Sequence, residues 1–265
     1  MDAVKTAPAA ENAGKPYRFD ESEFDITFNA RPGAEKPTLV THRIRKAADE
    51  ELVEWENASA FQSIEVSKRE DEIRIDEEAM NARLWRKIID KVKGYRFGDG
   101  LPVDEFRTLT DEQKDQMRTS HKVGAIRALY WSSCEVDYQE VPGEDEGISF
   151  SGEIWRIKQT IRGGVFTVIH SLREPTEPER LKFRRSASST TYLRGSRKQQ
   201  STTRTNLRAY IELYNYLTVN IEGGEVGGLT FAESNQASFL KAIDPIFKRQ
   251  VVNCLMGAID TELQD

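Results

Sequence analysis

Cysteine and histidine are scarce in this chain of 265 residues, which contains two cysteines and three histidines. Cys134 and Cys254 alone form neither a disulfide framework nor a zinc site, and three histidines add little metal-binding capacity. We therefore predict no metal site and no cofactor. The same scarcity of cysteine fits a protein of the reducing cytoplasm.

Long apolar runs are also lacking. No stretch of about 18 apolar residues occurs, which excludes a membrane span. Residues 1–16 alternate small, polar and charged types without the apolar core of a secretory signal, so we expect a disordered tail and a cytoplasmic protein. The usual phosphate-binding, zinc-hydrolase and nucleophile-elbow motifs are missing as well. Without a catalytic signature, the sequence favours a protein that is not an enzyme.

What the sequence does contain is a similarity between its two halves. A shift of 128 positions places residues 42–55 on residues 170–183. Three residues recur identically, His42 as His170, Arg45 as Arg173 and Glu51 as Glu179. Two later segments match in the same order, residues 82–98 with 207–223 at a shift of 125, and residues 117–130 with 243–256 at a shift of 126.

These matches predict two divergent copies of one unit, because similarity confined to one window would not persist in order along the chain. The first copy covers residues 17–138 and the second covers residues 147–265. A polar, turn-rich linker at residues 139–146 joins them. The alternative is two unrelated domains with similar helix patterning.

Each copy begins with a pair of strands. Residues 24–30 and 38–45 alternate apolar and polar side chains, and residues 151–161 and 165–172 do the same around an Arg-Gly-Gly turn. A helix with Asp49 as its N-cap follows in the first copy. In the second copy we expect the matching helix to start at Thr176 or Glu177.

Further helices are indicated by apolar residues at the helical spacing. We predict them near residues 77–94, 108–136, 203–219 and 235–263. A second hairpin is expected at residues 63–76, whereas residues 190–204, which take its place in the second copy, are less convincing as ordered structure. Strands followed by helices predict the α+β class, with an internal duplication of a β-hairpin plus helices unit.

Charge is distributed unevenly between the copies. Residues 50–80, here the acidic arm, hold eleven acids and three bases, a net charge of −8. The aligned residues 178–208, the basic arm, hold one acid and nine bases, a net charge of +8. The bases are Arg180, Lys182, Arg184, Arg185, Arg194, Arg197, Lys198, Arg204 and Arg208.

Three interpretations of the arms are open. In the first, the basic arm binds nucleic acid by displacing counterions from phosphates. In the second, the basic arm of one copy docks on the acidic arm of the other, within a chain or between chains, as self-association guided by charge. In the third, both arms are solvated surface, since exposed charge pairs are typically worth only about 0–1 kcal/mol each.

His42 and His170 occupy equivalent positions, and histidine titrates near neutral pH. Neither lies in a pattern that marks a nucleophile and its base, so we expect both to form local hydrogen bonds at strand ends. Cys254, flanked by apolar residues, is expected in the core. The acidic clusters at residues 70–72 and 76–78 lack the loop glycine and ligand spacing of a calcium site, which favours a solvated face.

The elements around residues 42–55 and 170–183 are a strand ending in a short polar turn, a helix that opens with acids, and a small helical region. This order resembles the tail assembly chaperones of tailed phages and prophages. The resemblance covers each copy separately and rests on pattern, without a signature motif. It implies a small α+β protein that binds the long tape measure protein in the host cytoplasm, keeps it soluble and assists tail assembly.

On this hypothesis the protein is an interaction or assembly factor, and an elongated amphipathic partner binds in apolar grooves between helices. The partner-binding residues that we predict are Trp85, Ile88, Ile89, Tyr210 and Tyr214. The competing interpretation places these side chains in the core. The alternative function is that of a nucleic-acid-associated virion or regulatory protein that binds through residues 180–208.

Overall fold

A computed structural model of the chain describes residues 15–31, 33–58, 61–65, 70–73, 77–97, 104–137, 154–194 and 199–262. The strands in these ranges are β1 Tyr17–Arg18, β2 Glu23–Asn29, β3 Leu39–Arg45, β4 Phe61–Glu65, β5 Glu70–Ile73, β6 Ile89–Lys93, β7 Arg107–Thr108, β8 Ser132–Val136, β9 Ile154–Ile161, β10 Phe166–Arg173, β11 Ser188–Arg194, β12 Gln199–Thr205, β13 Thr218–Glu222 and β14 Gly224–Glu225. The helices are α1 Asp49–Ala58, α2 Glu77–Ile88, α3 Asp111–Gln116, α4 Thr119–Tyr130, α5 Glu177–Ser186, α6 Leu207–Leu217, α7 Gln236–Ala242 and α8 Pro245–Glu262.

The fold is mixed α+β, as predicted, and the chain divides into two compact units. Of the described residues, Glu21–Trp131 and Tyr192–Ser201 belong to unit 1, and the others belong to unit 2. These bounds differ from the predicted copies, because β1 pairs with β14 and β8 pairs with β9, so both strands join unit 2. The predicted linker and residues 1–14 of the predicted tail lie outside the described residues. No helix in the described ranges is long and apolar enough to cross a bilayer.

Unit 1 contains a four-stranded antiparallel sheet with the order β2-β3-β6-β7. Side chains alternate along β2, so Phe24, Ile26 and Phe28 turn to one face and are buried there. Helices α2 and α4 pack against each other, α2 also contacts β3 and α4 contacts β2. Trp85 and Ile126 of these helices are almost fully buried, so the core of unit 1 lies between the helices and the sheet.

Unit 2 has the same construction. Its antiparallel sheet has the order β13-β10-β9-β8, and α6 and α8 pack together over it. Trp155, Ile157 and Ile161 of β9 face these helices and are buried. Helix α5 begins after Thr176, one of the two predicted starts. In unit 1, by contrast, α1 begins at Asp49 itself, so Asp49 lies in the first turn and is not the N-cap that we predicted.

The central strands of the two sheets also share a register. His42 lies opposite Ile26 and Val92, and His170 lies opposite Ile157 and Ile221. In each sheet the pairing with β6 or β13 shifts one residue after the histidine, which marks a β-bulge at the same place. This register relates β2 to β9 at a shift of 131 positions. It relates β3 to β10 and α1 to α5 at a shift of 128. It relates α2 to α6 and β6 to β13 at a shift of 129. Residues related in this way are called counterparts below.

Several predicted helices are too long. The segments predicted as helix at residues 77–94 and 203–219 each end in a strand, β6 and β13, and the segment at residues 108–136 ends in β8. These strands form because each one pairs with a neighbouring strand of a sheet, a tertiary interaction that outweighs the local apolar spacing. Residues 190–204, which we considered less convincing as ordered structure, lie largely in β11 and β12, and these strands belong to a sheet of order β11-β12-β4-β5.

One glycine in each unit makes the strand end possible. Gly94 follows β6 with a φ of 84°, and its counterpart Gly223 follows β13 with a φ of 78°. A Cβ at Gly94 would lie 2.7 Å from the carbonyl oxygen of Leu39, and a Cβ at Gly223 would collide with the carbonyl oxygen of Thr167. Both the left-handed backbone and the close approach of the neighbouring strand therefore require glycine.

We expect Gly94→Ala to lower the free energy of unfolding by about 1–3 kcal/mol more than the control Gly33→Ala, because only the methyl group at position 94 overpacks a neighbouring strand. Gly33 has a similar φ of 91°, but no atom lies within 4 Å of the position that an alanine methyl group would take there, so the control carries only the backbone strain. Urea unfolding of both variants measures the difference. Equal losses in the two variants would contradict the steric argument.

Candidate functional site

The described part of unit 1 buries a histidine in the middle of its central strand. His42 is fully buried, and its two ring nitrogens meet two partners from other elements. The indole Nε1 of Trp85 lies 3.0 Å from His42 Nδ1, and the hydroxyl of Tyr95 lies 2.7 Å from His42 Nε2. The Tyr95 hydroxyl also lies 3.0 Å from Nδ1 of His121. The prediction of a local hydrogen bond at a strand end is therefore wrong, since His42 is at mid-strand and its partners are distant in sequence.

The fixed donor in this chain of hydrogen bonds sets the direction of all the others. Because an indole can only donate, Trp85 donates to Nδ1 of His42, and His42 then carries its proton on Nε2. Nε2–H donates to the Tyr95 oxygen, and the Tyr95 hydroxyl donates to Nδ1 of His121. His121 ends the chain by hydrogen bonding to the backbone of Ala30. Each imidazole in this arrangement is neutral.

Unit 2 repeats this arrangement with different side chains. Tyr214, the counterpart of Trp85, places its hydroxyl 2.7 Å from Nδ1 of His170, and the amide oxygen of Gln159 lies 3.1 Å from Nε2. The Gln159 amide nitrogen faces the carbonyl oxygen of Phe247 at 3.4 Å, which leaves its oxygen as the acceptor for His170. His170 therefore also carries its proton on Nε2.

Burial keeps both central histidines uncharged. Desolvation lowers the pKa of His42 to about 3, with a further lowering by His121, and desolvation alone lowers the pKa of His170 to about 3. No carboxylate is among the hydrogen-bond partners described for either ring. A histidine that stays neutral and has both nitrogens engaged is not free to move a proton to or from a ligand. The arrangement supports a structural role.

Two further pairs reinforce the same positions. Lys122 and Lys248, which the sequence matches at a shift of 126, are buried. Their Nζ atoms lie 5.4 Å from the ring centre of Trp85 and 5.7 Å from that of Tyr214. The matched arginine and glutamate of each copy form a bidentate ion pair that ties β3 to α1 and β10 to α5. Its N–O distances are 2.7 and 2.8 Å for Arg45–Glu51 and 2.8 and 2.9 Å for Arg173–Glu179. The Arg173 contact is the main cause that lowers the pKa of Glu179 to about 2.

The predicted partner-binding residues do not line an open groove. Trp85, Ile88 and Tyr214 have no exposed surface, and Ile89 is 5% exposed. Tyr210 is partly buried against the core, with its ring 4.9 Å from that of Phe183. A partner cannot reach the four buried side chains without unfolding the unit, so the prediction of an apolar groove at these positions is corrected. These residues make the core on which the surface helices rest.

The surface of unit 2 does contain a groove, between α5 and α6. It has a volume of about 360 Å³. Its floor is apolar, and its rim carries charges of both signs, because α5 and α6 turn their polar sides outward. The lining residues are Glu179, Lys182, Phe183, Ser186, Ala209, Glu212, Leu213 and Tyr216. Tyr216 at the rim is 65% exposed, the largest exposed fraction among the exposed large hydrophobic residues described.

The counterpart groove in unit 1, between α1 and α2, is almost closed, with a volume of about 30 Å³. Lys87 and Glu54, the counterparts of Tyr216 and Lys182, form an ion pair across it at 2.5 Å. Trp55, larger than its counterpart in unit 2, fills the floor and donates to Asn81 at 3.0 Å. The same scaffold is therefore closed in one unit and open in the other.

The described part of the basic arm is largely paired. Arg180 contacts Glu177, Arg184 contacts Asp260 and Arg208 contacts Glu212. Each pair lies within unit 2 and offsets one positive charge. Lys182 and Arg185 are exposed on α5 without an acidic partner among the described residues. Arg197 and Lys198 lie outside the described residues, and the side chains of Arg194 and Arg204 are not described.

Burial disfavours the thiolate form of both cysteines. Burial raises the pKa of the Cys134 thiol to about 12 and also raises that of Cys254. Cys254 is partly buried against the core, as predicted.

Across the described residues, no three histidine, cysteine, aspartate or glutamate side chains are grouped so that they could hold a metal ion. Comparisons with protein families, curated proteins and solved structures give no match.

The stability of the protein is expected to fall as the pH decreases from 6.5 to 5. The folded pKa of His42 and of His170 lies below the unfolded value of about 6.5, so the unfolded chain binds more protons in this window. Each histidine then contributes a loss of up to about 1.4 kcal/mol per pH unit. Glutamate and aspartate contribute mainly at lower pH.

Urea unfolding at several pH values checks this expectation. The control is His170→Asn, whose amide oxygen can still accept from Tyr214 but does not titrate. Its pH slope should be smaller by about one proton, whatever its absolute stability. An unchanged slope in this variant would show that the His170 imidazole is charged in the folded protein.

Proposed function

We propose that this protein is a non-enzymatic interaction protein that assists assembly by holding an amphipathic helical segment of an elongated partner. The observation that supports this function best is the open α5–α6 groove of unit 2. The hydrogen-bonded, neutral histidines and the high thiol pKa values fit a scaffold without acid, base or nucleophile chemistry.

The chemistry of the groove matches an amphipathic helix. Phe183 and Leu213 offer an apolar floor for the apolar stripe of such a helix, as in other helix-in-groove complexes. Lys182 and Glu212 at the rim can pair with charges that flank the stripe. Tyr216, whose ring lies 4.5 Å from the Arg173 guanidinium, is already held in place and is a suitable aromatic anchor.

We also propose that the two units arose by internal duplication. The shared element order, the bulges and the matched histidines, ion pairs and glycines support a duplication of one β-hairpin plus helices unit. Divergence then closed the α1–α2 groove and left the α5–α6 groove open. Binding of a long helical protein in the host cytoplasm is the activity of the tail assembly chaperones, and a tape-measure-like tail protein is the partner we propose.

We expect Tyr216→Ala to weaken partner binding at least tenfold, about 1.4 kcal/mol, with little effect on stability. Most of the Tyr216 side chain is exposed, so its loss removes contact area from a partner and little from the core. The tagged full-length protein is used to capture partners from its native lysate. A helical peptide from the captured protein is then titrated against both forms.

Leu229→Ala is the matched control, since Leu229 is 47% exposed in the same unit but does not line the groove. It should bind the peptide like the unchanged protein. Equal binding by all three forms would contradict the groove. Capture that disappears after nuclease treatment, with binding that weakens steeply with salt and is lost in Lys182→Ala/Arg185→Ala, would favour nucleic acid as the partner of the basic arm.

A further inference from the structure

Residues 17–20 fill a cleft of unit 2 as an added strand. β1 pairs in parallel with β14, and the N–H groups of Tyr17 and Phe19 donate to the carbonyl oxygens of Gly223 and Glu225 at 2.8 and 3.0 Å. Both aromatic side chains are almost completely buried. The segment therefore completes the core of unit 2, although it is remote from the rest of that unit in sequence.

The side chains that receive this segment are mostly aromatic. The ring of Tyr17 meets Phe166 and Phe247 edge-on, with ring centres 5.2 and 6.1 Å apart, and its hydroxyl accepts from Arg162 at 3.2 Å. The ring of Phe19 meets Phe239 at 5.7 Å. The cleft is a shaped receptor for an extended segment, with main-chain hydrogen bonds for affinity and ring contacts for specificity.

Unit 1 contains the counterpart of this cleft, and no strand among the described residues fills it. The α3–α4 region corresponds to α7–α8 at a shift of 126, which also relates Lys122 to Lys248. Each residue that receives the segment in unit 2 has a counterpart in unit 1. The counterparts are Arg31 for Arg162, Thr38 for Phe166, Gly94 for Gly223, Gln113 for Phe239 and His121 for Phe247. All five of these unit 1 residues line one cleft with a volume of about 790 Å³.

The main-chain groups that would hold a strand are available in this cleft. The carbonyl oxygens of Gly94 and Arg96 are the counterparts of those that accept from Tyr17 and Phe19. Neither accepts a backbone hydrogen bond from any described residue. One difference is Tyr95, the counterpart of Gly224. A Cβ at Gly224 would collide with the ring of Phe19, so a ligand of the unit 1 cleft must carry a small side chain at the position that Phe19 takes in unit 2.

The charge of the unit 1 cleft is the reverse of that in unit 2. Arg96 replaces Glu225, which lies 3.6 Å from Arg18 of the inserted segment, and Arg118 replaces Asp244. Together with Arg31 these arginines line the cleft, and no acidic residue is among the lining residues described. None of the three guanidiniums forms an ion pair within the described part of the chain. An incoming carboxylate would find fork-shaped donors without a competing acid.

We propose that the unit 1 cleft binds an acidic, extended segment of a partner protein by strand addition along residues 94–97. The segment runs in the direction that residues 17–20 take in unit 2 and places a carboxylate opposite Arg96, where unit 2 pairs Arg18 with Glu225. This site is separate from the α5–α6 groove, so failure of one does not decide the other.

Two labelled peptides test the proposal by fluorescence anisotropy with the full-length protein. Both correspond to residues 15–21 with Phe19→Ala, which leaves room for Tyr95, and one of them also carries Arg18→Glu. The peptide with Arg18→Glu should bind at least tenfold more tightly than the peptide that keeps Arg18. In the protein variant Arg96→Glu this preference should reverse, whereas Arg83→Glu, an exposed arginine of α2 outside the cleft, should leave it unchanged.

A second readout locates the complex. His121 is the only histidine among the residues that line the cleft, so its imidazole NMR signals should shift on binding while those of His170 stay in place. Equal binding of both peptides, no binding of either, or no reversal in Arg96→Glu would overturn the proposal. Displacement of the acidic peptide by inorganic phosphate at equal concentration would overturn it too, in favour of a site for small anions.

Discussion

A neutral imidazole in the central strand is the group around which each unit is organised. A buried ring nitrogen left without a partner would cost about 1–3 kcal/mol, so the element above the sheet must supply a donor at a fixed place. In unit 1 that donor is the indole of Trp85, and in unit 2 it is the hydroxyl of Tyr214. Each of these constrains the rotation of α2 or α6, and a lysine of α4 or α8 then lies beside the aromatic ring. The position of the surface helices follows from this buried contact.

The sequence predicted the elements of the fold correctly where the chemistry of the residues and the local apolar pattern indicate the same structure. The paired strands at the start of each copy, the helices after them and the identical histidine, arginine and glutamate are all placed as the alternation and the shift of 128 predict. The match of residues 82–98 with 207–223 differs from the structural register, because Trp85 bonds His42 and Tyr214, not Tyr210, bonds His170. The register of the two sheets relates these segments at a shift of 129. A slip of four residues is about one helical turn, so the apolar spacing of the helix looks the same at either shift.

Other features depend on contacts between distant residues and leave no local signal. β6 and β13 continue the apolar spacing of the helices before them, and only the free edge of the neighbouring strand makes them strands. The α5–α6 groove differs from its closed counterpart through one ion pair and the size of one aromatic residue, which no periodicity records. The position of residues 17–20 in unit 2 also depends on contacts with residues that are distant in sequence. Gly94 and Gly223 are a signal that could have been found, since both follow an apolar strand at the shift of 129.

The insertion of residues 17–20 into unit 2 has a consequence for the order of events during synthesis. These residues are synthesised before Gly223 and Phe247, which help to form their cleft and follow roughly 200 or more residues later. At about 5–20 residues per second the delay is on the order of 10 to 40 seconds. During that time two aromatic side chains that belong in a core have no core to enter. The nascent chain therefore exposes Tyr17 and Phe19 until α8, which carries Phe247, is made.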